Sequence, residues 1–210
     1  LNDRMVGDDD KKFVAEKIAS AFQTHFSAEA GAALADPCLY GDFLQWHKVE
    51  EEKESGGGDT VRLYEDVTDH GTIKPILDEV VEKYNTKNKA MNLVLFDDCL
   101  DHLVRVHRLM RMPRGNALLV GVGGSGKQSL TRFAAYVAEM KCFQIELTKG
   151  YGYNEFREDL KKLYFMAGCD NTPVVFLFAD TQIVTENFVE DINNILNSGE
   201  VPNLFANDEW

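Results

Sequence analysis

The sequence is poor in cysteine, histidine and proline, and short of positive charge. Its four cysteines (Cys38, Cys99, Cys142 and Cys169) are spread through 210 residues with no C-x-x-C pair. That spacing excludes a disulfide framework and a zinc site of recognised pattern, and fits a reduced cytosolic chain with thiols in or near its core. The five histidines are equally scattered. His102 stands beside Asp98, Cys99 and Asp101, but His107 is five residues further on, so the two imidazoles do not share one helical face. No apolar run approaches the ~18 residues of a membrane span. The opening Leu1-Asn2-Asp3-Arg4 does not read as a signal peptide, so no membrane is expected as a partner.

Basic residues number 22 against 35 acids, a formal charge of −13. Such a chain is repelled by phosphate backbones, which argues against nucleic acid as a partner. Residues 1–60 hold 13 acids and 6 bases, and residues 61–210 hold 22 and 16, so more than half the net charge sits in the first 60. Hydrophobic residues make up 44% of the chain, enough to bury a core. The length allows one domain plus an elaboration, or two small domains.

Residues 1–90 read as a mainly helical extension. Asp8, Asp9 and Asp10 precede Val14, Ile18, Ala21 and Phe22 at helical spacing, which predicts an amphipathic helix with an acidic first turn. An Ala-rich stretch over 27–36 ends at Pro37, and Tyr40, Phe43 and Trp46 suggest a short docking helix. The run Glu50-Glu51-Glu52-Lys53-Glu54-Ser55-Gly56-Gly57-Gly58-Asp59 predicts a flexible acidic loop. Ile76, Leu77, Val80, Val81 and Tyr84 predict a second helix with Pro75 in its first turn.

Residues 91–210 alternate between strand and helix patterns. Leu93-Val94-Leu95-Phe96 is an apolar run leading to Asp97, a candidate N-cap for a helix carrying Leu100, Leu103, Val104, His107 and Met110. Apolar strands are expected at 117–120, 142–147 and 174–179, and helices around Phe133, Phe156 and Phe188. The run 174–179 is continuously apolar, as in a strand buried on both faces of a parallel sheet. The order predicts an α/β fold, a doubly wound parallel-sheet core.

The strongest chemical signal lies between the first of these strands and its helix. Gly121-Val122-Gly123-Gly124-Ser125-Gly126-Lys127 matches G-x-x-x-x-G-K, the phosphate-binding P-loop. Glycines let successive backbone N–H groups converge on phosphate oxygens, and Lys127 supplies a cation. The position after the lysine is Gln128, where a standard P-loop has Ser or Thr for Mg²⁺, and the hydroxyl arrives one residue later at Ser129. One residue is a rotation of about 100° on a helix, so Ser129 does not substitute directly. Gln128 offers an amide oxygen on a longer stem, which predicts weakened or water-mediated Mg²⁺ binding, with Gln128 and Asp180 as the candidate ligands.

Asp180 follows the apolar run at 174–179 and is the lone acid there. P-loop ATPases of the AAA+ kind usually place Asp and then Glu at this point. Either Asp180 serves the metal and Thr181 positions water, or Asp180 is the catalytic residue and Ala179 stands at the metal position. Both leave hydrolysis short of one part.

Three blocks together resemble the fourth AAA+ module of dynein heavy chains: Asn92-Leu93-Val94-Leu95-Phe96-Asp97, residues 113–132 around the loop, and residues 176–183 with 193–205. The resemblance covers 91–210 closely and 1–90 more loosely. Gln128 and the lone acid resemble the axonemal branch. It implies an AAA+ large subdomain of a ciliary or flagellar motor that moves along microtubules with ATP, in a ring of six such modules. It also implies that further strands, a sensor residue and a helical lid would follow residue 210, that a closing arginine would come from the neighbouring module, and that residues 91–210 make up an incomplete core. By this similarity, Gly121, Val122, Gly123, Gly124, Ser125, Gly126, Lys127, Gln128 and Ser129 hold the phosphates of ATP or ADP. Val94, Leu95 and Phe96 pack against adenine, and Asp180 sits beside the γ-phosphate. The expected function is regulatory nucleotide binding with weak hydrolysis. The alternatives are a vestigial docking module and a free-standing P-loop kinase or GTPase. A GTPase needs an Asn-Lys-x-Asp guanine reader after the loop, and Asn85-Thr86-Lys87-Asn88 is neither that motif nor in that place.

Overall fold

The computed structural model describes residues 5–26, 39–56, 61–67 and 69–206. The Ala-rich stretch at 27–36, Cys38 and the glycines at 57–58 lie outside them. The first described element is α1 (Asp8–His25), whose first turn carries Asp8, Asp9 and Asp10 beside the positive end of the helix dipole. Its periodicity predicted a core-facing stripe; Val14, Ile18 and Phe22 of that stripe are half-buried, Ala21 is exposed, and no residue of α1 is fully buried. Period fixes which residues share a face; it does not supply a surface for that face to meet.

The next elements are β1 (Leu39–Gly41), α2 (Trp46–Glu54), β2 (Glu65–Val67) and α3 (His70–Lys87). β1 and β2 pair antiparallel, Leu39 opposite Val67. Residues 50–54, predicted as loop, continue α2 instead. Trp46 and Val49 are buried and anchor the helix, and Lys83 of α3 stacks 4.5 Å over the Trp46 ring. Asp69 caps α3 by accepting the Thr72 N–H at 2.9 Å. Because α3 starts at His70, Pro75 falls in its second turn rather than its first.

α4 (Asp97–Arg111) and α5 (Lys127–Val137) pack against α3 and complete the larger core. Phe96, not Asp97, is the N-cap of α4, so Asp97 occupies the first helical position and the helix begins one residue earlier than predicted. This core joins Ile73, Leu77, Leu100, Leu103 and Phe133, all fully buried, so residues before and after 91 share one hydrophobic cluster. Arg62 stitches the two stretches by donating to the Val137 carbonyl at 2.8 Å and pairing with Glu139 at the end of α5. A second cluster forms around α6 (Tyr153–Gly168) and α7 (Glu186–Ser198), where Phe156 and Phe188 stack with ring centroids 4.1 Å apart. Gly199, at φ 79°, ends α7 in the left-handed region that glycine adopts without strain.

The parallel sheet is smaller than expected. β3 (Lys141–Phe143) and β4 (Val174–Phe176) pair in parallel, Cys142 opposite Val175, and form a two-stranded ladder. Residues 117–120, predicted as a strand, join neither sheet, and Leu118 and Val120 are 90% and 85% exposed. Leu119 between them packs on the larger core. A strand belongs to a pair of segments: an apolar run marks a segment fit for burial, while the ladder needs a neighbour. For the same reason β4 is half-buried on both faces rather than enclosed. The described fold is thus mixed α/β with one parallel strand pair, and a full doubly wound sheet is not present among the described residues.

Candidate functional site

The 121–126 loop runs directly into α5, as the motif requires. Gly124 and Gly126 lie at φ 80° and 78°, where a side chain would be strained. Gly126 is also the N-cap of α5 and offers no side-chain acceptor, so the first-turn N–H groups are left for a ligand. The loop closes on itself through Ser125 N–H to the Val122 carbonyl at 3.3 Å. Lys127 Nζ sits across it, donating to the Gly121 and Val122 carbonyls at 2.8 Å each and to Ser125 Oγ at 3.2 Å. The loop, the helix terminus and an ammonium therefore converge on one exposed spot, an arrangement suited to anions of phosphate type.

Asp180 opens a short 3₁₀ turn (Asp180–Gln182) after β4. It is exposed, accepts the Thr181 N–H at 2.9 Å and makes no ion pair with Lys127 among the described residues. Gln182, which sequence reasoning passed over, holds this turn in place. Its side chain is buried, accepts the Ala179 N–H at 2.8 Å and donates to the Ile145 carbonyl at 2.5 Å. One amide thus ties together the carboxyl ends of the two parallel strands, where α/β sheets bind ligands. Its spacing three residues after Ala179 was the only signal in the sequence.

Val94, Leu95 and Phe96 divide by alternation. Leu95 is 2% exposed in the same cluster as Leu130 of α5, while Val94 and Phe96 are 75% and 58% exposed. Two apolar side chains thus face outward on a segment anchored to the P-loop helix.

Around Gln128 the structure adds partners that the motif does not mention. Arg132, one turn further along α5, donates from Nη2 to Gln128 Oε1 at 3.1 Å and to Gln144 Oε1 beyond β3 at 2.5 Å. The i,i+4 spacing of Gln128 and Arg132 was legible; the contact with Gln144 was not. Ser129 is half-buried one position around the helix, and the Thr131 hydroxyl is spent on the Lys127 carbonyl at 2.8 Å. The donors here do not fit a divalent cation. Mg²⁺ needs hard oxygens at about 2.0–2.1 Å, and the Gln128 oxygen is already taken by a guanidinium. No cluster of three or more His, Cys, Asp or Glu suited to a metal occurs among the described residues, the Asp98–His102 group included. Burial pushes the Cys99 and Cys142 thiols up, away from the reactive thiolate. No helix among the described residues is long and apolar enough to cross a membrane.

Comparison with known proteins agrees with the geometry of the loop. A family profile described as "P-loop containing dynein motor region D4" matches residues 91–210. The chain is 47% identical over 210 residues to human "Dynein axonemal heavy chain 10", covering 100% of this chain and 4% of that protein. It is 48% identical over 206 residues to "Dynein-1-alpha heavy chain, flagellar inner arm I1 complex" of Chlamydomonas reinhardtii, covering 98% of this chain and 4% of that one. With mouse "Dynein axonemal heavy chain 1" it shares 45% identity over 210 residues, 100% of this chain and 5% of the relative. The chain therefore spans about a twentieth of the length of these relatives, and the similarity runs through residues 1–90 as well as through the loop.

Proposed function

The chain belongs to the dynein motor region D4 family, with its P-loop, and on that premise we propose that it is a nucleotide-binding AAA+ module of a ciliary or flagellar motor heavy chain. It binds ATP or ADP, sits beside neighbouring AAA+ modules of the same heavy chain, and contributes to microtubule-based movement of the axoneme through parts of the motor outside this chain. Its part is regulatory: binding and release of nucleotide bias the ring, and hydrolysis at this loop is weak or absent.

The observation that carries the reading is the loop itself. Two left-handed glycines lead into a helix whose N-terminus is open, and the Lys127 ammonium is held at its mouth. The backbone N–H groups and Lys127 bind and orient the β- and γ-phosphates. The exposed side chains of Val94 and Phe96 pack against the base, and Asp180 orients water near the terminal phosphate without a second acid to assist it. An arginine contributed in trans is worth about 10³–10⁵ in rate in phosphoryl transfer, so the chain alone turns ATP over poorly.

A thermal-shift titration tests this reading. Ligand at 100 times its Kd adds ~2.7 kcal/mol of stability, which for a domain of this size raises Tm by roughly 5–10 °C. ATP or ADP is expected to give such a rise. No shift with either nucleotide at millimolar concentration would favour the alternative, a docking module that does not cycle nucleotide.

A further inference from the structure

Arginine carries only donors, so an amide atom that meets a guanidinium must be the amide's oxygen. That fixes the orientation of Gln128. Its Oε1 accepts from Arg132 Nη2 at 3.1 Å, and its Nε2 makes no hydrogen bond among the described residues. Arg132 is in turn held by Gln144 Oε1 at 2.5 Å, so the guanidinium is anchored to the segment after β3 as well as to its own helix. Gln128 is half-exposed in the first turn of α5, immediately after Lys127, on the helix end that faces the loop.

We propose that Arg132 is a positioning residue that sets the ligand preference of this loop: by holding the Gln128 oxygen it leaves the Gln128 NH₂ as a donor for nucleotide phosphate, and capture proceeds without a divalent cation. The proposal rests on the nucleotide-binding reading above and goes beyond it, because it reverses the role of Gln128 from metal ligand to anion donor. In the usual P-loop this position supplies oxygen to Mg²⁺. Here an ion placed on the Gln128 oxygen would sit against a guanidinium, and the repulsion between the two cations disfavours it. A neutral NH₂ beside the Lys127 ammonium adds instead a second side-chain donor for phosphate oxygens, which a charged acceptor strengthens.

Calorimetric titration of the 210-residue chain with ATP and with ADP, in magnesium and in chelator, tests the proposal. The parent chain is expected to change its Kd by less than about threefold on chelation. Arg132→Met releases the Gln128 oxygen and should lower affinity in chelator about tenfold, the loss of one hydrogen bond to a charged group, with most of it restored by magnesium. Gln128→Glu sits at a half-exposed position, retains the Arg132 contact and removes the donor. It should lose at least as much affinity in chelator, because it also sets a carboxylate against the phosphates, and magnesium should restore part of that loss through the carboxylate oxygen that Arg132 does not hold. Melting curves without nucleotide confirm that each variant is folded, and a purely structural role for Arg132 would lower affinity equally with and without magnesium. That equal loss, or a parent chain whose binding collapses in chelator, overturns the proposal while leaving nucleotide binding intact. Absence of binding in both conditions would instead remove the nucleotide reading itself.

Discussion

Replacing Lys127 with alanine is expected to lower the affinity for ATP and ADP by about 10–100-fold and to leave the fold almost unchanged. The size of the loss follows from the charge. A hydrogen bond to an ionised partner is worth about 1.5–3 kcal/mol, and each 1.4 kcal/mol is a factor of ten in Kd. In the structure the ammonium is held by two loop carbonyls and Ser125 Oγ, all of them exposed contacts. Water replaces such contacts readily, so their removal costs little stability. The substitution therefore separates binding from folding: the melting temperature without nucleotide stays within a few degrees of the parent, while the nucleotide-dependent rise shrinks or vanishes. Fluorescent-nucleotide titration measures the first effect and calorimetry the second. In an intact motor, unchanged nucleotide occupancy of this module after Lys127→Ala would refute its assignment as a binding site.

Helices were legible in the sequence where an apolar period was sustained. Residues Ile76 to Tyr84, and Leu100 to His107, repeat at helical spacing, and the two helices bury those stripes, Ile76 only in part. The P-loop was legible for a different reason: glycines and a lysine at fixed offsets state a local geometry that needs no distant partner. The strand expected at 117–120 depended on such a partner, and with β3 and β4 paired to each other it has none among the described residues. Helix α1 shows the complementary limit, since its pattern is correct and its stripe is only half-buried. At the site, identity could be read but engagement could not. The sequence names Gln128 as the residue after the lysine, yet only the fold brings Gln144 to Arg132 and so turns the amide. Gln182 is the same case: an unremarked amide becomes a clamp because two strand ends lie side by side.

Asp42→Ala is expected to be the most destabilising single change outside the apolar core. Asp42 is 6% exposed, His107 is fully buried, and His107 Nε2 lies 3.1 Å from Asp42 Oδ1. Arg111 Nε lies 2.8 Å from Asp42 Oδ2, and the Phe43 ring meets the imidazole edge-on at 5.1 Å. Asp42 follows β1, whereas His107 and Arg111 belong to α4, so the cluster joins the extension to the helix that packs on α5. Removing one partner of a buried pair costs about 3–5 kcal/mol. Arg111 is 43% exposed and regains water, so the lower end of that range applies, about 3 kcal/mol. For a domain of this size that lowers Tm by roughly 6–12 °C. The same cluster predicts how stability varies with pH. Burial pushes the Asp42 carboxyl up, but His107 beside it, then Arg111 and Arg62, outweigh burial and hold it below the usual carboxylate range. A group whose folded pKa is depressed binds its proton more readily in the unfolded chain. Its contribution is thus fully present above the unfolded pKa, near 4, and is lost as the pH falls through the lower folded value. Denaturant titrations between about pH 3 and 6 should therefore show the parent losing stability below about pH 4. In Asp42→Asn, which keeps the shape and cannot titrate, that part of the slope should be missing. An Asn variant with the parent's full acid slope would mean that Asp42 carries the same charge folded and unfolded, and the buried cluster would then be packing without electrostatic consequence.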